Sequence, residues 1–114
     1  MRILSYAQRL LERVGMRRRR YRIQRLEELP DIPKPYIVYA IGYPLVWQAA
    51  LLCPCGCNDL IQLSLLKADS PRWRLTGGNG KPATLHPSVW RTKGCAAHFI
   101  LRKGGVVWCS SDRS

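Results

Sequence analysis

Five side chains in this sequence have types and spacings suited to metal chemistry. Cys53, Cys55 and Cys57 fall within the run Leu51-Leu52-Cys53-Pro54-Cys55-Gly56-Cys57, and Cys95 and His98 fall within Cys95-Ala96-Ala97-His98. Thiolate sulfur and imidazole nitrogen are the donors zinc prefers, and a structural zinc site takes four of them in a tetrahedron. Cysteines two apart on an extended strand face the same side, and Pro54 and Gly56 bend the backbone between them so that the sulfurs can converge. Five candidates for four places leave one spare. Four thiolates around a divalent ion give a net charge near −2, and three thiolates with an imidazole give one near −1. Arg91 and Lys93, close in sequence to the second half-site, would moderate the former. The fifth cysteine, Cys109, follows Trp108 and reads as a plain thiol.

A catalytic metal would need a carboxylate acid or base beside it, yet neither His-Glu-x-x-His nor His-x-Glu occurs. Glu12, Glu27 and Glu28 all lie near the N-terminus, and after the proline-rich segment 29–35 the carboxylates are Asp59, Asp69 and Asp112. The metal therefore reads as structural. A second chemistry rests on Leu85-His86-Pro87-Ser88-Val89-Trp90, where Ser88 follows a proline directly after an expected strand. A serine becomes a nucleophile when an imidazole takes its proton, and the chain offers His86 and His98. His86 would point the same way as Ser88 along a strand. His98 is held near Cys95, so a metal knuckle could position it even when it is not a ligand.

The elements that must position these groups divide the chain in two. In residues 2–14 the apolar Ile3, Leu4, Ala7, Leu10, Leu11 and Val14 trace one stripe of a helix, with Arg2, Arg9 and Arg13 on its other face and Arg17-Arg18-Arg19-Arg20 after it. Leu29-Pro30-Asp31-Ile32-Pro33-Lys34-Pro35 cannot be helical, since proline removes donors and forces extended geometry. It is expected to separate a basic helical arm, 1–29, from a core domain, 30–114. Strands are expected at Tyr36–Ile41, Trp47–Leu52, Leu60–Leu65, Arg72–Thr76, Thr84–His86, His98–Arg102 and Val106–Cys109, with a hairpin over Ile100–Trp108. The predicted fold is α+β and mostly antiparallel β: a small zinc-stabilised sheet domain preceded by an amphipathic basic helix.

At 114 residues the chain has room for one domain. No stretch reaches the twenty or so apolar residues of a membrane span, and arginines interrupt the N-terminal apolar positions where a secretory signal would be uninterrupted. The chain reads as cytoplasmic, where crowded cysteines ligate metal rather than form disulfides. Its net charge of +12 divides into +5 in residues 1–33, nine arginines less four acidic groups, and +7 in the remainder. Such basicity favours an acidic partner surface without specifying nucleic acid, lipid or protein.

Cys-Pro-Cys-Gly-Cys at 53–57, Trp73-Arg74-Leu75-Thr76, Leu85-His86-Pro87-Ser88-Val89, Cys95-Ala96-Ala97-His98-Phe99-Ile100 and Gly105-Val106-Val107-Trp108 follow one another in an order that resembles a small bacterial family. Its genes lie beside those for ubiquitin-like proteins and their activating and conjugating enzymes. The resemblance spans about residues 30 to 109 and leaves the arginine-rich arm uncovered. It implies a zinc-containing serine-type peptidase that processes a ubiquitin-like protein or removes it from conjugates, with conjugation-pathway enzymes as further partners. Carried over, Ser88 would be the nucleophile and His98 its base, which leaves Cys53, Cys55, Cys57 and Cys95 for zinc. Where such families show Gly-Glu after the cysteine cluster, this chain has Asn58-Asp59, a departure that leaves open whether a third, histidine-orienting carboxylate is present, with Asp59 as its candidate. The competing reading is a non-catalytic zinc module that binds nucleic acid or a partner protein through its basic surface.

Overall fold

A computed structural model of the chain describes residues 20–91 and 94–109. Eight strands run in chain order: β1 (Arg22–Leu26), β2 (Ile37–Ile41), β3 (Gln48–Leu52), β4 (Leu60–Ser64), β5 (Arg74–Thr76), β6 (Thr84–Trp90), β7 (His98–Arg102) and β8 (Gly105–Trp108). They form two four-stranded sheets, ordered β1-β2-β3-β4 and β5-β6-β7-β8. Every pairing is antiparallel except β1 with β2, which is parallel. The described residues are therefore all β, in place of the expected α+β. The helix expected over 2–14 lies outside them. Among the described residues no helix is long and apolar enough to cross a membrane.

The core lies between the sheets. Val38, Ala40, Ala49, Leu51, Ile61 and Leu63 of the first sheet meet Leu85, Val89, Phe99 and Leu101 of the second in one buried cluster. Each fully buried Leu, Val or Phe contributes roughly 1.5–3 kcal/mol relative to exposure. The run Ile37-Val38-Tyr39-Ala40-Ile41 does not alternate because β2 is covered on both faces: Tyr39 and Ile41, with Ala50, form a second cluster against Leu26, Leu29, Ile37 and Leu60.

The proline-rich segment does not separate an arm from the core. It connects β1 to β2, and its Leu29 packs on the outer cluster. Tyr21 and Ile23, expected to belong to the arm, are buried in the main core, and β1 pairs with β2 along its whole length. Residues 20–29 are thus core, because a polar-looking stretch needs only its inward residues to be apolar.

The expected terminal hairpin is present as β7–β8. Its two turn residues, Lys103 (φ 48°) and Gly104 (φ 84°), both adopt the left-handed conformation that tight hairpins require. A side chain at Gly104 would collide with the Tyr21 carbonyl at 2.9 Å, and the Tyr21 amide donates to the Gly104 carbonyl at 2.8 Å. The hairpin therefore fastens the start of β1.

Candidate catalytic pair and metal centre

Strand β6 continues through Pro87 and Ser88 to Trp90, beyond the expected Thr84–His86, so Ser88 sits within a strand rather than on a turn after one. Leu85 pairs with Leu101 and Val89 with Phe99, so β6 takes four steps where β7 takes two. A bulge of this kind interrupts the ladder and re-aims side chains, and it accommodates a proline that cannot donate to its neighbour. The inward Leu85 and Val89 anchor it on both sides.

The bulge brings Ser88 to His98 at the start of β7. The serine Oγ lies 3.0 Å from His98 Nε2, the distance for a hydroxyl donating to an imidazole whose own proton is on Nδ1. His86, the other imidazole, stands opposite Arg74 of β5 and has no hydrogen bond to Ser88. Two tryptophans frame the pair. The Trp73 indole N–H donates to the Ser88 carbonyl at 3.3 Å. Trp90, paired with His98 across the two strands, lies nearly parallel to the imidazole with centroids 4.9 Å apart and planes 14° apart. Neither contact was legible from the sequence. The one signal for the second was that Trp90 is two residues from Ser88, on the same side of an extended strand.

Cys53, Cys55 and Cys57, in the loop after β3, converge with Cys95, in the loop before β7, with all four sulfurs within 4.8 Å of one another. Cys53 Sγ is 3.5 Å from those of Cys55 and Cys95. A tetrahedron with metal–sulfur bonds of about 2.3 Å has edges of about 3.8 Å, so this donor set is close enough to hold a metal ion. His98 is outside the group, and so is Cys109. The first loop turns tightly: the Gly56 amide donates to the Cys53 carbonyl at 3.2 Å, and the Cys53 amide to the Asp59 carbonyl at 2.9 Å. The second turns through Gly94 (φ 68°) and Ala96 (φ 55°) on either side of Cys95, and the Arg91 amide bonding the Ala97 carbonyl at 2.8 Å closes it.

Four crowded thiols cannot all ionise alike without a cation. Hydrogen bonding from Cys55 holds the Cys95 thiol down, to about 6, while the same interaction pushes Cys55 up to about 12. Burial raises Cys53. Arg91 points at Cys95 and at Cys57.

Asp59 does not reach His98. Its Oδ2 accepts from Arg91 Nη2 at 3.0 Å, while Arg91 Nη1 lies 3.4 Å from Cys57 Sγ and 3.3 Å from Cys95 Sγ. Among the described residues no carboxylate is hydrogen-bonded to His98, so the expected orienting role of Asp59 gives way to an ion pair at the cysteine cluster.

A family model described as bacterial ubiquitination-like system serine protease (BubE) matches residues 25–109. The chain belongs to this family of serine proteases. No curated protein and no solved structure matches it.

Proposed function

We propose that the chain is a zinc-stabilised serine peptidase that cuts at the C-terminal tail of a ubiquitin-like protein, either to mature it or to release it from conjugates. The observation that carries this reading is the 3.0 Å approach of Ser88 Oγ to His98 Nε2 in a chain of this family. His98 Nε2 takes the hydroxyl proton as Oγ attacks the tail carbonyl. The tetrahedral intermediate collapses, the carbon–nitrogen bond breaks, and the leaving amine receives the proton from His98. Water, deprotonated by the same imidazole, then attacks the acyl ester and frees Ser88. Trp90 limits rotation of the imidazole and Trp73 holds the Ser88 backbone, so the reacting atoms start near attack distance.

Zinc held by Cys53, Cys55, Cys57 and Cys95 would tie the loop after β3 to the loop before β7, and all four sites being thiolate leaves no open position for a reacting group. Its contribution is structural.

The test is cleavage of a ubiquitin-like protein carrying a short C-terminal extension. Ser88→Ala and His98→Ala should each lose activity by several orders of magnitude while keeping zinc content and melting temperature. The double variant should be scarcely worse than either single one, because groups that act together are not additive. Retained cleavage by Ser88→Ala removes the serine mechanism. Loss of zinc in His98→Ala would instead make the histidine a ligand.

A further inference from the structure

Arg91 ends the segment that carries Ser88 and Trp90, and it touches three groups at once. Its Nη1 bridges Cys57 and Cys95, at 3.4 and 3.3 Å, and its Nη2 is 3.0 Å from Asp59. Cys57 and Asp59 come from the loop of the first sheet, Cys95 from the loop of the second. Gly94, beside this arrangement, takes a φ of 68°, in the left-handed region that favours glycine. The sequence suggests that Arg91 moderates the charge of a four-thiolate site, but the structure pairs its +1 with the −1 of Asp59, so the net charge beside the sulfurs is unchanged. The effect left to the pair is directional. A guanidinium fork fixed on one side by a carboxylate presents hydrogens to two sulfurs in a set geometry.

We infer that Arg91 and Asp59 form an outer clamp of the cysteine cluster, positioning residues that preorganise Cys57 and Cys95 across the two sheets and so retain the metal ion. The inference rests on the cluster binding metal, as proposed above. Partners that orient metal ligands are commonly worth ten- to a hundredfold in metal affinity. Cys57 and Cys95 are the two ligands that benefit, because Arg91 Nη1 reaches both and both are exposed, whereas Cys53 is buried and held by its backbone.

Positioning and charge neutralisation predict opposite outcomes for one substitution. If Arg91 acted only by charge, Asp59→Asn would release that charge toward the sulfurs and tighten metal binding, and Arg91→Lys would behave as wild type. A clamp requires Asp59→Asn to weaken binding and Arg91→Lys to fall nearly as far as Arg91→Ala, because an ammonium cannot span two sulfurs and a carboxylate as a fork does.

The experiment is competition for zinc against a chromophoric chelator, together with titration by Co2+, on the full-length chain and the variants Arg91→Ala, Arg91→Lys and Asp59→Asn. The expected result is a loss of about ten- to a hundredfold in Arg91→Ala, a comparable loss in Arg91→Lys and a severalfold loss in Asp59→Asn. The sulfur-to-cobalt charge-transfer band should shift in both Arg91 variants, which a general loss of stability would not produce. Affinity and spectrum within error of wild type in Arg91→Ala, or tighter binding in Asp59→Asn, overturns the clamp and leaves the metal site standing. A wild-type chain that takes up no stoichiometric Co2+ or Zn2+ overturns the metal reading itself, and the clamp with it. Asp59 is exposed and outside the core, so Asp59→Asn remains informative even if Arg91→Ala folds poorly.

Discussion

Removing the metal should cost more stability than any single surface change, and the chain itself sets the size of the effect. With zinc bound, Cys57 and Cys95 are joined through the ion, closing a loop of 95 − 57 = 38 residues. Treated as a cross-link that restricts the unfolded chain, a loop of that length is worth about 4 kcal/mol. Preformed backbone turns in both cysteine loops mean that little of this is lost to ordering the ligands on binding. For a domain near this size about 4 kcal/mol corresponds to a change in melting temperature on the order of 15 °C. The assay is thermal unfolding followed by circular dichroism, comparing protein loaded with one equivalent of zinc with protein dialysed against a chelator, both under reducing conditions. Ser88→Ala serves as a control that should show the same difference. A shift of only a few degrees would mean that the cysteines do not bridge the sheets through an ion. A larger shift in Cys55→Ser than in the metal-free wild type would mean that the thiols stabilise the fold without metal.

Three further outcomes are expected. Deleting residues 1–19 should leave a cooperatively melting core, whereas deleting 1–29 should abolish it, because the second truncation removes β1 with Tyr21 and Ile23; melting curves of the two truncations decide this. Trp90→Ala should lower kcat about three- to tenfold with little change in KM or melting, since a stack of this kind is worth roughly 0.5–1.5 kcal/mol and the indole, 58% exposed, contributes little to the core. A drop in melting temperature large enough to account for the lost activity would refute that role. Phe99→Ala should destabilise by about 3–5 kcal/mol in a urea titration, since it empties the centre of a core where Phe99 is fully buried. A loss below 1 kcal/mol would show that the two sheets are not packed through it.

Much of the site was legible because its chemistry is written in residue types that do little else at such spacing. Three cysteines in five residues and one more 38 residues on point to a metal whatever the fold, and the strands between them follow from runs of apolar and β-branched residues bounded by glycine and proline. What stayed hidden depends on a contact or on an exception to a local rule. In β1, Arg22-Ile23-Gln24-Arg25-Leu26 looks solvated, yet Ile23 alone faces the main core and the outer edge is satisfied by the segment 79–83. Pro87 argues against a strand interior, and only the bulge makes it tolerable. Asp59 was the one carboxylate near the cluster in sequence, but its partner is set by where β6 ends, which no spacing discloses.

The Ser88–His98 pair and one cysteine of the cluster, Cys95, lie within one short stretch of backbone, 88–98, so a metal held by the four cysteines would stiffen the segment that carries the proposed base. Ser88 is three residues before Arg91 and His98 three after Cys95. Between them lies a loop held at its neck by the Arg91–Ala97 hydrogen bond and by the Trp90–His98 pairing. Among the described residues no carboxylate is buried or hydrogen-bonded to His98 to lock the imidazole in place. A metal-bound cluster would supply that rigidity, fixing the turn through Cys95 from which His98 emerges, while the bulge in β6 positions Ser88. In the proposed mechanism the nucleophile would thus be placed by proline and a register shift, and the base by thiols and an arginine. Their meeting at 3.0 Å depends on both devices, although only the first lies within a strand.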